Sequence, residues 1–295
     1  MNYRHAFHAG NHGDVLKHVV LLEMLDILRG KPSPFHLLDS HAGRGLYDLA
    51  SDEAQRGGEY RLGIGAVLAD PAAATALPLY WAALRALNPD LTAGGSGLRY
   101  YPGSPWLLRN ALRENDRLSL VELHPEEYAA LKRTMRRAST NHAGNEARIG
   151  IHRRDAWEAL GALLPPTPRR GLALIDPAFE QRDEFTRAAD TLSHALQRWP
   201  TGQYLLWYPI KQGKATDAFI RDFAKRNAAL PMLRVELLLR KPDDEARLNG
   251  SGLLIVNPPW KLAERLAAPL DFIAAKLARE PGGGITLDWP NPNKD

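Results

Sequence analysis

The sequence of 295 residues contains no cysteine. Disulfide bonds, thiolate metal sites, iron–sulfur clusters and cysteine nucleophiles are therefore excluded. A long apolar run that would cross a bilayer is also missing, and the segment Met1–His5 lacks the apolar region of a secretory signal. From these absences we expect a cytoplasmic protein that works without a membrane.

A strong charge of one sign is absent as well, because the formal net charge is only +4. Hydrophobic residues make up 44% of the chain, which is enough for the core of one large domain. Basic residues nevertheless cluster at Lys132-Arg133 with Arg136-Arg137, at Arg153-Arg154 and at Arg169-Arg170. Such clusters either form solvated surfaces or contact phosphates, and charge alone leaves both interpretations open.

Short apolar runs alternate with segments of helical periodicity along most of the chain. Apolar residues recur at helix spacing between Val15 and Leu28, and residues 171–176 form the clearest buried strand. This alternation predicts an α/β fold with a mostly parallel, doubly wound sheet. Residues 232–239 and 252–257 additionally predict an antiparallel edge hairpin.

Residues 49–98 have a different character. They are rich in alanine, carry few strand signals, and are interrupted by Pro71, Pro78, Pro89 and a glycine-rich run at 94–97. We interpret them as a small helical insertion. The main domain is then discontinuous and consists of residues 1–48 and 99–285.

Four successive predicted strands end in residues suited to ligand binding. The first is followed by the turn 39–43, and the next three end at Glu122, Asp155 and Asp176. Ligands of open α/β sheets bind at the carboxyl ends of the strands. A glycine such as Gly43 lets the backbone approach a ligand, and carboxylates after the second and third strands can accept ribose hydroxyls and an adenine amine. The ordered set predicts a site for a nucleoside cofactor.

The fourth strand end, Asp176-Pro177-Ala178-Phe179, resembles the Asp-Pro-Pro-Tyr/Phe motif of amino methyltransferases. An adenine amine is a poor nucleophile because its lone pair is conjugated with the ring. A carboxylate and a backbone carbonyl that accept its two N–H bonds free the lone pair for attack. Phe179 can stack on the base, and Pro177 stiffens the loop. Asp176, Pro177 and Phe179 are therefore the predicted catalytic residues.

A second segment, Asn257-Pro258-Pro259-Trp260, matches the same motif more literally, because Ala178 replaces the second proline of the first copy. Its position argues against a catalytic role, since it follows the sixth or seventh predicted strand and not the fourth. We interpret it as the end of the edge hairpin.

Several blocks together resemble the RlmJ family of 23S rRNA adenine-N6 methyltransferases. The resemblance extends through nearly the whole chain. The blocks that carry it are Tyr3–His18, Leu38–Gly43, Tyr100–Pro105, Glu122–Pro125, Leu206–Pro209 and Asn257–Lys261. The chain departs from the family pattern at Arg44, Ala178 and Phe179.

The resemblance implies a class I (Rossmann-like) methyltransferase core and S-adenosylmethionine as the cofactor. It implies methylation of the N6 amine of a single adenine in 23S rRNA, and this adenine must be flipped out or unpaired to reach the site. We expect the protein to be a monomer and to need no metal. It places Tyr3 and Arg4 on the substrate RNA. The implied cofactor-binding residues are His18, His41, Ser104, Glu122, Asp155 and Ala156, to which the turn adds Gly43.

Other functions remain open at this stage. A DNA adenine methyltransferase would use the same motif chemistry, and Ala178 is compatible with an RNA-binding module that lacks catalysis. An NAD-dependent enzyme is disfavoured because the turn after the first strand is not Gly-x-Gly-x-x-Gly. A metal site from the N-terminal histidines is also disfavoured, since glycines interrupt the segment between His8 and Gly13. We expect this segment to fold over the cofactor pocket.

Overall fold

A computed structural model describes residues 4–137, 148–181 and 183–291. A 3-10 helix (His5–Phe7) begins this part of the chain. The helices that follow are α1 (His12–Arg29), α2 (Asp52–Gly57), α3 (Glu59–Leu62), α4 (Ile64–Leu68), α5 (Ala73–Ala76), α6 (Pro78–Leu87), α7 (Ser104–Ala111), α8 (Pro125–Arg137), α9 (Ala156–Leu163), α10 (Glu184–Arg198), α11 (Gly213–Arg226) and α12 (Leu262–Leu277). The strands are β1 (His36–Asp39), β2 (Leu46–Asp48), β3 (Tyr100–Pro102), β4 (Arg117–Val121), β5 (Ile149–His152), β6 (Gly171–Ile175), β7 (Gln203–Ile210), β8 (Met232–Leu238), β9 (Gly250–Val256) and β10 (Gly284–Asn291).

Eight of these strands form one sheet in the order β10-β8-β9-β7-β6-β1-β4-β5. The five neighbouring strands β7, β6, β1, β4 and β5 are parallel. The pairs β7–β9, β9–β8 and β8–β10 are antiparallel. The predicted α/β class with a mostly parallel sheet and an antiparallel hairpin is confirmed. The hairpin of β8 and β9 does not form the outer edge, however, because β10 pairs with β8.

Helices cover both faces of the sheet, so its central strands are apolar on both sides. Leu172 and Leu174 of β6 pack into a cluster with α1, α7 and α12. Ala173 and Ile175 point to the opposite face and pack with α9, α10 and α11. This double covering fixes the strand ends rigidly, and it is at these ends that the predicted site residues lie.

Residues 52–87 contain the five short helices α2 to α6. The small antiparallel pair of β2 and β3 brackets this segment. Side chains from the segment, such as Ile64 and Leu84, are buried in the same apolar cluster as Leu16 of α1. This segment therefore packs against α1, the helix that carries Asp14, Lys17 and His18.

Within the described part of the chain, no helix has both the length and the apolar character that a membrane span requires.

Candidate active site

A cavity of about 600 Å³ lies at the carboxyl ends of the parallel strands. It brings together the predicted cofactor and catalytic residues His18, His41, Gly43, Ser104, Glu122, Asp155, Ala156, Asp176, Pro177 and Phe179. Arg4 is not part of the lining, and its guanidinium pairs with Glu126 at 2.9 Å. Tyr3 lies outside the described residues.

Asp176 leaves the end of β6 and meets a lysine from α1. The Nζ atom of Lys17 lies 2.5 Å from Oδ2 of Asp176 and 2.9 Å from Oδ1 of Asp14. Burial lowers the pKa of Lys17, but the carboxylates of Asp14 and Asp176 outweigh burial and raise that pKa above its ordinary value. Lys17 is therefore an ammonium ion that fixes one oxygen of Asp176 and leaves the other oxygen available.

Asp14 is itself held by several donors. Its Oδ2 accepts the backbone N–H of Gly10 at 2.9 Å and lies 2.8 Å from Nε2 of His5. Burial raises the pKa of Asp14, but His5 and Lys17 outweigh burial and hold that pKa well below its ordinary value. The start of α1 thus presents a fixed carboxylate that positions Lys17 against Asp176.

Phe179 supplies an aromatic wall beside Asp176. Its ring lies 4.7 Å from that of Phe185 and 6.0 Å from that of Trp207, measured between centroids. The φ angle of Phe179 is 51°, a left-handed conformation that a side chain other than glycine rarely adopts. The loop thus holds a half-buried aromatic ring at the cavity, as stacking on a planar base requires.

His18 enters the cavity from α1 and is almost fully buried. Its Nδ1 lies 3.0 Å from the hydroxyl of Tyr101, which lies 2.6 Å from the hydroxyl of Tyr80. Its Nε2 is buried and has no hydrogen-bond partner among the described residues. Burial lowers the pKa of His18 to about 3, so the ring is neutral and carries one proton.

The direction of this hydrogen-bond chain fixes where that proton lies. If Tyr80 donates to Tyr101 and Tyr101 donates to Nδ1 of His18, both hydroxyl protons are bonded. The opposite direction leaves both the Tyr80 proton and the bare Nε2 of His18 without partners among the described residues, which is costly for buried groups. The first direction leaves only the Nε2–H of His18 without an acceptor, and this proton can be donated to a ligand in the cavity.

Glu122 lies where a ribose acceptor is expected, directly after β4. Its two carboxylate oxygens accept the backbone N–H groups of Gly43 at 2.8 Å and His124 at 2.7 Å. Each oxygen retains a further lone pair for a hydroxyl donor. Gly43 has a φ of 61°, and a Cβ there would lie 2.6 Å from the hydroxyl of Tyr47, so the turn requires glycine.

Asp155 and Ala156 lie at the start of α9. Oδ1 of Asp155 caps this helix by accepting the backbone N–H groups of Trp157 and Glu158 at 2.9 and 3.2 Å. Its Oδ2 lies 3.5 Å from Arg187. The residue therefore has a structural role, and its outer oxygen remains at the cavity for a donor.

His41 and Ser104 complete the wall near the first strand. Nδ1 of His41 lies 2.8 Å from the hydroxyl of Ser40. The hydroxyl of Ser104 donates to the buried carboxylate of Asp39 at 2.7 Å. Burial raises the pKa of Asp39 to about 7, although the Ser104 hydrogen bond opposes this effect.

The N-terminal histidines contact separate partners. His5 lies against Asp14, His8 against Glu59, and His12 against Ser251. Among the described residues, no cluster of three or more potential His, Cys, Asp or Glu ligands could hold a metal ion. His5, His8 and Asn11 line the cavity, so this segment borders the pocket that it is expected to cover.

The second motif copy lies elsewhere. Asn257 follows β9, which runs antiparallel to β7, so it lies at the amino ends of the parallel strands, and its amide donates to the carbonyl oxygens of Pro200 and Gly202 at 2.8 and 2.7 Å. The segment does not line the cavity that contains Asp176. The geometry therefore favours the first copy as the reactive loop.

Sequence reasoning missed Lys17, Asp14, Tyr80 and Tyr101. Asp14 and Lys17 had a detectable signal, because they are a charged pair at i and i+3 inside the apolar pattern of α1. Their neighbours Val15, Leu16 and His18 are all buried. The two tyrosines carry no such signal, because buried tyrosine is common in cores.

Comparisons with known proteins identify relatives that match nearly the whole chain. A family model described as ribosomal RNA large subunit methyltransferase D, RlmJ, matches residues 32–291. Two proteins named ribosomal RNA large subunit methyltransferase J, from Escherichia coli and Haemophilus influenzae, are 36% and 35% identical over 292 residues, covering 99% of each chain. The crystal structure of protein LPL1258 from Legionella pneumophila has a TM-score of 0.79 at 32% identity, covering 97% of this chain and 99% of that one.

Proposed function

The chain belongs to the RlmJ family of ribosomal RNA large subunit methyltransferases, and from this membership we propose that it methylates the N6 amine of a single adenine in 23S rRNA. It is a class I methyltransferase with S-adenosylmethionine as its cofactor. The product is N6-methyladenosine. The observation that carries the proposal is the position of Asp176, which lies between Lys17 and Phe179 at the wall of the cavity.

The residues of the cavity fit S-adenosylmethionine. The buried, unpartnered Nε2 of His18 is a donor that a carboxylate can satisfy, and the remaining lone pairs of Glu122 suit ribose hydroxyls. Asp155 suits an adenine amine, and His41, Gly43, Ser104 and Ala156 complete the proposed set. When bound, the cofactor supplies an electrophilic methyl group.

Asp176 acts on the nucleophile. Its free oxygen accepts one N–H of the adenine amine, and a backbone carbonyl of the loop around Pro177 accepts the other. This arrangement turns the nitrogen lone pair out of conjugation with the ring. Lys17 holds the second oxygen of Asp176, so the carboxylate cannot rotate away.

Phe179 positions the base by stacking on its face, with Phe185 packed behind it. A base inside a duplex cannot reach this cavity, so the target adenine must be unpaired or flipped. Arg154 and Lys211 line the same cavity and are exposed, which suits contacts with flanking phosphates. Tyr3, Arg4 and the insertion (49–98) are further proposed RNA contacts, and we propose that the protein acts as a monomer in the cytoplasm.

Two variants test the choice of reactive loop. Asp176→Ala should abolish methyl transfer to 23S rRNA and leave the affinity for S-adenosylmethionine within about threefold of the wild type. Asn257→Ala, in the other motif copy, should leave the transfer rate at saturating RNA unchanged. Full activity of Asp176→Ala together with a loss in Asn257→Ala would reject the proposed mechanism.

A further inference from the structure

A second cavity, of about 390 Å³, lies at the amino ends of β6 and β7. We call it the Trp260 cavity, and its lining includes Trp260, Pro259, Lys31, Arg169, Arg170 and Gln203. Gly171 at the start of β6 also lines it, whereas Asp176 follows the end of the same strand. At about 3.3 Å per residue, the length of β6 separates the two sites by roughly 17 Å.

Trp260 is a rigidly presented and exposed aromatic residue. Its side chain is 79% exposed, and no described residue stacks on it. Its loop is flanked by Asn257 and Lys261, whose φ angles of 53° and 63° are left-handed. Such conformations cost free energy and persist only where the surroundings fix them, as the two hydrogen bonds from the Asn257 amide do here.

Exposed basic side chains line the same cavity as this ring. The side chains of Lys31 and Arg169 are exposed and form no hydrogen bond or ion pair with the described residues, and Lys261 follows Trp260 directly. Arg170 differs from these two residues, because its guanidinium donates to the carbonyl oxygen of Ser33 at 2.6 Å and so stabilises the wall of the cavity. No acidic side chain lines the cavity within residues 4–137, 148–181 and 183–291.

Gln203 contributes an unused acceptor. Its Oε1 is buried and lacks a donor among the described residues. A buried carbonyl oxygen without a partner costs free energy, and an N–H from a ligand would satisfy it. Nucleobases carry such N–H groups on their edges.

We infer that the Trp260 cavity binds an unpaired nucleotide of the RNA substrate, with the base stacked on Trp260 and the neighbouring phosphates at Lys31 and Arg169. The combination of an exposed aromatic ring with unpaired cations is the chemistry of single-stranded RNA recognition. The inference rests on the proposed function for the identity of the RNA. The nucleotide bound here is distinct from the methylated adenine, so the cavity sets the position of the RNA across the enzyme.

Equilibrium binding of unmodified 23S rRNA to the full chain tests the inference. Trp260→Ala should weaken the Kd about tenfold, as loss of one stacked base does, whereas Trp260→Phe should stay near the wild type. The matched control is Trp289→Ala, which removes another exposed tryptophan, 39% exposed on β10, and should not change the Kd. The double variant Lys31→Gln/Arg169→Gln should reduce the salt slope of log Kd by about one to two.

An unchanged Kd for Trp260→Ala would overturn the inference. So would normal binding of Trp260→Ala to naked 23S rRNA combined with weakened binding to ribosomal particles, because the cavity would then recognise a protein. A weakened Kd with an unchanged melting temperature and unchanged cofactor affinity supports it. Failure of the proposed function is separately visible, since the wild type would then bind 23S rRNA without methylating it.

Discussion

Lys17 Nζ and Asp176 Oδ2 lie 2.5 Å apart, although 159 positions separate them in the chain. The lysine belongs to α1 and the aspartate to the loop after β6, so the contact joins α1 to the proposed reactive loop. Only 5% of the Lys17 side chain is exposed. Lys17 and Asp176 therefore form a buried ion pair, and Lys17 also pairs with Asp14. Loss of one of these charges would leave an opposite charge buried without its partner.

Removal of the Lys17 charge should damage both activity and stability. In Lys17→Met, the carboxyl groups of Asp14, which is almost fully buried, and of Asp176, whose side chain is 16% exposed, lose their shared cation. We expect the transfer rate to fall at least about 100-fold and the free energy of unfolding to fall by about 3 kcal/mol. Urea denaturation and single-turnover methyl transfer measure the two effects.

The control for this variant is Lys211→Met, which removes an exposed lysine from the same cavity. It should alter the Kd for RNA at most a few-fold and leave the free energy of unfolding unchanged within about 0.5 kcal/mol. Wild-type transfer rates in Lys17→Met would contradict the role given to the pair.

Tyr80→Phe should weaken cofactor binding from a distance. The variant removes the hydroxyl that donates to Tyr101, so the hydrogen bond from Tyr101 to Nδ1 of His18 loses the strengthening that a chained donor gives it. The expected loss of affinity for S-adenosylmethionine is about three- to tenfold, as for one buried hydrogen bond. Nitrogen NMR of the His18 ring should show the Nε2-protonated tautomer in both proteins, with a weaker hydrogen bond at Nδ1 in the variant, because Nδ1 is then the one acceptor left for the Tyr101 proton among the described residues. The control is Tyr100→Phe, next to Tyr101 on β3, which should change neither the affinity for S-adenosylmethionine nor the nitrogen signals of His18.

Acid should destabilise the protein through buried histidine. Burial lowers the pKa of His18 to about 3, whereas an unfolded histidine titrates near 6.5. The native state therefore binds fewer protons in this window, and the stability present above pH 6.5 is lost as the pH falls toward 3. Between pH 6.5 and 4 this single histidine should account for a loss on the order of 3 kcal/mol.

Comparison with His18→Gln isolates this contribution. Asp39 acts in the opposite direction, because its pKa of about 7 stabilises the native state as the pH falls below 7. That effect cancels when the variant is subtracted from the wild type. The difference in the free energy of unfolding between the two proteins should shrink as the pH falls from 6.5 to 4. A difference that is constant with pH would show that His18 titrates normally.

Phe179→Ala should affect the RNA step more than the cofactor step. Loss of one base–aromatic stack corresponds to roughly a tenfold rise in the KM for RNA, while the Kd for S-adenosylmethionine should change less than about twofold. Leu123→Ala is the matched control, since Leu123 is an exposed apolar residue of the same cavity. Equal losses of RNA and cofactor affinity in Phe179→Ala would remove the stacking role.

The sequence pattern predicted the elements in which local periodicity and burial agree. Apolar spacing predicted α1, and strand ends at Glu122 and Asp176 predicted which side chains meet at one edge, because parallel strands share that edge. The pattern predicted neither α12 nor β10. Pro269 lies inside α12, and Pro290 with a register shift interrupts β10, so each element contains a residue that normally ends it.

The partners of the reactive residues could not be predicted in the same way. Lys17 reads as an ordinary member of a helix, and its contact with Asp176 exists only once α1 packs against the sheet. The hydrogen bonds from Tyr80 through Tyr101 to His18 likewise join α6 to α1 and form only when these helices pack together. Such contacts depend on relative placement of elements, about which periodicity carries no information.

The central claim is tested most directly by transfer of labelled methyl from S-adenosylmethionine to unmodified 23S rRNA, followed by nucleoside analysis. The wild type should place the label in N6-methyladenosine at a single site, and Asp176→Ala should lower the rate at least about 100-fold. Label in a different nucleoside, or equal transfer by Asp176→Ala, would contradict the account.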